Sequence, residues 1–412
     1  MGGSRSVRLM VRLLALGGLV AAPLAAAVAT SGPAGATVTD DAGFRTAWTT
    51  QATGTIDLAN DIVLGCTGVA GAGVSVRDLG TPIVVDGHGH TITQTCRVGS
   101  NNGVLNQLGE GDVTLQNLTI TGGQTNGDGG GLNMEEPDTP SLTVINSTIA
   151  GNQACGVGGG IAHDTSGTVT ITNSTISGNT TGDDGGAVDV DEGQLTVTNS
   201  TITGNTAPRG EGGIDSDASQ GVTLVYTTLT GNTVDPTVSC DDGGSTSQAS
   251  GKPSPPPKVR AQAGTVDANL FTSEGETFRA FGTVIANPMV ANTTDTPVNC
   301  DISGSSASQG YNYASDTTCD LTASTDSQAT TNNPNLGALG ANGGSTQTEL
   351  PLIGSPLINA IPDPGGGCPE SPTTITTDQR GITRPQGPGC DIGAVEVVVA
   401  ATPLVVTPSF TG

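Results

Sequence analysis

The chain has 412 residues, with 63 Gly, 2% aromatics and 13 Lys or Arg against 38 Asp or Glu, for a net charge of -25. That balance excludes nucleic acid and anionic membrane surfaces as partners, since both are gripped through clustered Lys and Arg, and it leaves cations and basic or neutral surfaces as the natural complement. Abundant Gly with few aromatics also describes disordered chains, but the regular patterning set out below excludes disorder.

Residues 1–36 read as a secretory signal. Arg5, Arg8 and Arg12 precede an Ala/Leu/Val run from Leu13 to Val28, and small-residue cleavage patterns end at Ala29 and Ala36. Val395–Val406 is apolar but short and is interrupted by Pro403, so no membrane span is expected after signal removal. All eight cysteines follow the signal, where an even count predicts disulfides. With no CxxC and three His, a zinc site is not expected. The local pairs Cys66–Cys96, Cys300–Cys319 and Cys368–Cys390 are preferred, which leaves Cys155 with Cys240.

Residues 37–110 read as an N-terminal cap with the first coils, and 111–232 as regular coils. The apolar residues Ile92, Ile120, Ile149, Ile176, Ile202 and Leu229 recur at intervals of 28, 29, 27, 26 and 27. A second column, Val104, Leu132, Ile161, Val188 and Ile214, keeps step at 28, 29, 27 and 26. Fixed periods of this size mean a repeat architecture. The segments VTLQNLTI, LTVINSTI, VTITNSTI and LTVTNSTI alternate apolar and polar residues and are rich in Val, Ile and Thr, which makes them strands. Three short strands per coil of about 27 residues predict an all-β, right-handed parallel β-helix. Two Asn columns, Asn117/Asn146/Asn173/Asn199 and Asn152/Asn179/Asn205/Asn232, predict corner ladders of stacked amides. Several of these Asn also match the N-x-[ST] glycosylation pattern, the alternative reading. Residues 233–282 break the period and carry a Pro/Ser-rich stretch at 248–258 with the only lysines, Lys252 and Lys258; they read as an insertion, and 283–330 as the last coils.

The segments TISGNTTGDDGGAV and TITGNTAPRGEGGI resemble the GGA[ILV] and x-x-N repeats of polymorphic outer-membrane-protein and related surface β-helices, without the aromatic that usually precedes the N motif. NPNLGALGANGGSTQTELPLIGSPLINA (333–360) followed by TDQRGITRPQGPGCDIGAVE (377–396) resembles the terminal module of bacterial choice-of-anchor Q proteins. VIANP, NCDIS and GYNYASDTTCDL, in order through 284–321, resemble its usual lead-in. The resemblance implies an extracellular β-helix with variable surface attachment and no known catalytic activity. Residues 331–398 are accordingly expected to close the lower end of the helix, with Asp378, Arg380, Arg384, Asp391 and Glu396 in ion pairs, and 399–412 to form a tail.

Three residues after each post-glycine apolar position, a column reads Gln107, Glu135, Asp164, Asp191, Asp217, and Asp189 and Asp215 face outward two residues earlier. Asp128, Asp183, Asp184 and Glu211, in the preceding glycine clusters, line the same side. Stacked carboxylates repel unless solvated or bridged by a cation. Calcium takes such oxygen ligands, so Glu135, Asp164, Asp184, Asp189, Asp191, Asp215 and Asp217 are candidate metal ligands; the alternative is a solvated face that deters aggregation. The leading reading of function is a structural and binding, adhesin-like protein that contacts polysaccharide or a cell-surface component. A calcium-dependent polysaccharide lyase or glycosidase ranks second, because a lyase needs a basic residue over the carboxylates and only Arg209 and Arg97 qualify. No catalytic residue is assigned. Third is an ice-binding face on Thr114, Thr143, Thr170, Thr196 and Thr223. Gly87-His88-Gly89 reads as a glycine turn and His163 as a tucked side chain.

Overall fold

The computed structural model describes residues 35–66, 76–96, 101–135, 139–217, 220–239, 264–363, 368 and 375–398. The signal segment before residue 35, Arg97, Cys240, the Pro/Ser-rich stretch with both lysines, and the tail 399–412 lie outside the described residues.

Alternating β-branched apolar and hydroxylated residues give each short segment an extended backbone with one apolar face. Strands pair in parallel with their counterparts one coil on, apart from Asn101–Asn102, which runs antiparallel to Gln124–Thr125: Ile120 lies beside Ile92 and Ile149, and Ile176 beside Ile149 and Ile202. The product is a parallel β-solenoid of two ten-stranded sheets, an eight-stranded sheet and a seven-stranded sheet. Three of these ranks match the expected strands. The fourth consists of two-residue strands such as Gln124–Thr125 and Gln153–Ala154. Within 233–282, Thr233–Val234, Thr265–Thr272 and Thr277–Phe281 continue three ranks, so Leu229 pairs directly with Ile285 across one enlarged coil.

The interior is a stack of identical layers. Ile92, Ile120, Ile149, Ile176 and Ile202 are all buried in one core with the columns around Val144 and Leu195, each side chain contributing about 1.5–3 kcal/mol by leaving water. The corner ladder forms as expected and runs further: Asn152, Asn179, Asn205, Asn232, Asn269 and Asn299 are buried and pass Nδ2–H to Oδ1 at 2.9–3.0 Å along the stack. In the other column Asn117, Asn146, Asn173 and Asn199 adopt φ of 46° to 55°, the left-handed geometry that Asn tolerates.

Both ends are closed. At the N-terminal end, helix α1 (Asp41–Thr50), capped by Asp40 accepting from the Gly43 N–H at 2.8 Å, places Phe44, Ala47 and Trp48 on the first core layer. The buried Arg77 donates to the Trp48 and Gln51 carbonyls at 3.0 and 2.8 Å, satisfying the helix C-terminus. At the other end Leu321 and the Cys300–Cys319 disulfide cover the last layer. Cys66–Cys96 and Cys368–Cys390 pair as expected, and Cys155 is also disulfide-bonded.

The described part of the C-terminal segment, expected from the sequence to close the lower end, folds back along one flank. Gln379 accepts from the Thr201 hydroxyl at 2.7 Å and donates to the Ser174 carbonyl at 3.1 Å. Glu349 accepts from Thr203 and Thr230 at 2.7 and 2.5 Å. Leu357, Ile361 and Ile392 pack with Tyr226, Phe281 and Tyr313 into a second core. Of the five residues expected in ion pairs, Arg380 pairs with Asp378 at 2.7 Å and Arg384 with Glu396 at 3.2 Å, with the Arg384 guanidinium 4.3 Å from the Tyr226 ring centre, while Asp391 accepts from the Asn359 and Val397 N–H groups at 2.6 Å. This clamp explains a change along one rank: Thr119 and Thr148 are partly exposed, whereas Thr175, Thr201 and Thr228 are buried beneath it.

Candidate functional site

The acidic side of the solenoid is built by a glycine turn followed by a short strand. Gly129, Gly158 and Gly185 occupy one stacked position with φ of 63° to 68°. There the turn folds over the strand that follows, so a Cβ on Gly185 would sit 2.8 Å from the Asp189 Cβ. Asp189 and Asp215 pair in register and point outward, yet each is only 3% exposed, because the turn lies over them.

In the next coil Glu211 occupies that glycine position with φ 38°, a conformation that disfavours any side chain by about 1–3 kcal/mol. The outlier coincides with a cluster: carboxylate oxygens of Asp184, Glu211 and Asp215 lie within 4.8 Å of one another. Asp184 and Asp215 were candidate ligands by sequence. Glu211 was placed only on the same side; its signal was a Glu interrupting the glycine column before Ile214.

The remaining candidates are not gathered into that set. Glu135 and Asp164 pair in register, and Glu135 accepts from Asn133 Nδ2 at 2.8 Å. Asp191 and Asp217 continue the edge, their N–H groups donating to the His163 and Val190 carbonyls at 3.1 and 2.9 Å. Gln107 does not belong to this column. The strand pairing sets Leu105, not Val104, beside Leu132, so Gln107 stacks on Met134 in the buried inward column and donates to the Gly109 and Gly111 carbonyls at 2.7 and 3.1 Å. A one-residue slip moves a side chain to the opposite face of a strand.

Arg209, the described basic residue nearest the strip, pairs with Asp183 at 2.5 Å across one coil and is 57% exposed. His163 is buried in the inward column beside Met134 and Val190, with Nε2 3.2 Å from the Pro140 carbonyl and from the Thr165 hydroxyl. Burial pushes its pKa down to about 4, so the ring is neutral and structural. Sequence reasoning missed Glu276, which is buried beside the inward Ser216. It accepts from the Ser216 and Ser273 hydroxyls at 3.2 and 2.9 Å. Burial, with Asp217 and Asp215 nearby, raises its pKa to about 8. It sits in the aperiodic segment, where no column flags it. The column Thr114, Thr143, Thr170, Thr196, Thr223 is in register as predicted, and ends where Arg279 takes the next place.

These features define a capped parallel β-solenoid with an acidic, partly covered strip along one edge and a clamp along another flank. Residues 35–156, less than half of the chain, match the family described as a pectate lyase-like adhesive domain. No curated protein and no solved structure matches the chain. Among the described residues, no helix is long and apolar enough to cross a membrane.

Proposed function

We propose that the protein is an extracellular, adhesin-like β-solenoid that contacts polysaccharide or another cell-surface component, with calcium bound along the acidic strip as the bridge. The match of residues 35–156 to an adhesive domain carries this reading. The net charge of -25 supports a role for a cation, since an acidic flank meets an acidic glycan only through one. Asp184, Glu211 and Asp215 form the densest part of the strip; Glu135, Asp164, Asp189, Asp191 and Asp217 extend it. The lyase alternative asks for a basic group over those carboxylates, whereas Arg209 is bound to Asp183 at the rim.

The deciding experiment incubates the protein with a panel of neutral and acidic polysaccharides, with calcium and with a chelator. Saturable binding that weakens on chelation, with no unsaturated or reducing ends released, is expected. Release of such ends reverses the order in favour of the lyase, and absence of binding across the panel removes the adhesive reading. An ice-recrystallisation assay, expected to be negative, tests the Thr column.

A further inference from the structure

Two of the three histidines of the chain stand at one corner of the early coils, far in sequence from the acidic strip. There the segment 57–61 stacks against 86–90, with Asp57 in register beside Asp86 and the following strands paired Ile62 to Ile92. Two carboxylates stacked one strand spacing apart repel unless a cation or donor lies between them.

The backbone puts an imidazole at that position. Gly87 lies so close to the next coil that a Cβ would come 2.3 Å from the Leu118 Cβ. His88 follows with φ 49°, reversing the chain at the corner. Its ring lies with Nε2 3.0 Å from Asp57 Oδ1 and Nδ1 3.7 Å from Asp86 Oδ1. One ligand atom from each of the three residues lies within 4.8 Å of the other two. Asp86 is oriented from the next coil by Gln116 Nε2 at 2.6 Å and Asn117 Nδ2 at 3.1 Å, the outer-shell support typical of metal-ligating carboxylates. His90, 3.1 Å from Asp61, flanks the same corner.

We propose that Asp57, Asp86 and His88 bind a divalent transition-metal ion of the zinc class and thereby staple the coil that carries Asp57 to its neighbour. The donor set selects the metal. One imidazole nitrogen and two carboxylates suit zinc and its neighbours, whereas calcium takes six to eight oxygens. Zinc bonds of about 2.0–2.2 Å imply tetrahedral edges near 3.3 Å; the 3.0 Å contact is close to such an edge, the others lie within 4.8 Å, and Asp86 Oδ1, which also accepts from the His88 N–H at 3.0 Å, must shift for the set to close. His88 is 54% exposed, which leaves a fourth position open to water or to a donor from another molecule. The cysteine and histidine spacings that make zinc unexpected from the sequence do not describe a site made mostly of carboxylates.

The test uses the full chain without a polyhistidine tag, stripped by chelator, with zinc titrated by calorimetry. One saturable site per chain is expected, weakened at least about tenfold in Asp57→Asn and in His88→Gln and kept in the Asp184→Asn/Glu211→Gln double variant. A wild-type chain with no saturable site, or an isotherm unchanged by His88→Gln, overturns the proposal. Should a variant fail to fold, histidine-labelled wild-type protein decides by NMR. Zinc must shift the His88 ring resonances and leave those of His163 in place; the reverse, or no shift, overturns it.

Discussion

Glu276 offers the sharpest test of how the enlarged coil is held together. Its carboxyl is buried between the Ser216 and Ser273 hydroxyls, with a pKa raised from the ordinary 4.5 to about 8. The folded state therefore holds a proton that the unfolded chain releases. By linkage, the stability this group provides is fully present below about pH 4.5 and is lost as pH rises through about 8. At about 1.4 kcal/mol per pH unit, the loss at pH 7 is roughly 3 kcal/mol. Glu276→Gln keeps the shape of the neutral acid, offers an N–H where the acid offers an O–H, and cannot ionise. Urea unfolding of both proteins from pH 4.5 to 8.5 should show stabilities that nearly coincide at the acid end and diverge with pH, the variant becoming more stable by a few kcal/mol at pH 8. Parallel profiles for the two proteins would refute the assignment of a neutral, hydrogen-bonded Glu276.

Three further outcomes follow from the geometry. His163, held neutral with a pKa lowered to about 4, contributes stability that is present above about pH 6.5 and lost as pH falls toward 4, so His163→Gln should flatten the acid limb of a stability-pH curve read by circular dichroism. Removing both hydroxyls that serve Glu349, in Thr203→Val/Thr230→Val, leaves a buried carboxylate unsatisfied. That should cost about 1–3 kcal/mol and raise hydrogen exchange in 346–361 and 375–396 while leaving the Asn152–Asn232 ladder protected. At the shared turn position, Glu211→Gly should raise the melting temperature by relieving left-handed strain and Gly185→Ala should lower it; equal signs for the two would show that backbone conformation does not govern that position.

What the sequence revealed, and what it concealed, divides along the axis of the stack. Anything that repeats at the coil period was legible: the Ile92–Ile202 column, both Asn columns, and the disulfide joining Cys66 to Cys96 one coil away. The slip at Val104 arose because spacing is fixed only within a rank, while corners absorb an extra residue. The strand from Leu105 then carries Gln107 inward, although the interval of 28 from Val104 looked regular. Contacts across the axis left no periodic trace. The clamp binds Thr201 through Gln379 and Thr203 through Glu349, residues 178 and 146 positions apart, and those threonines differ in no way from the exposed ones in earlier coils.

The acidic strip lay between these cases. Its column was visible, but its chemistry depends on where the column is broken. Asp189 and Asp215 are members by pattern and are roofed by the turn, whereas Glu211 joins them by violating the glycine rule of that same turn. The corner at Asp57, Asp86 and His88 extends the point. It too lies where a repeat is interrupted, in a coil whose corner carries Gly-His-Gly where later coils carry Asn. In a solenoid the repeating residues have already been committed to stacking against their neighbours. Where the repeat is broken, stacking no longer dictates the residue, so the interruptions at Glu211 and His88 mark the parts of the acidic strip and of the early corner where ligands are first to be sought.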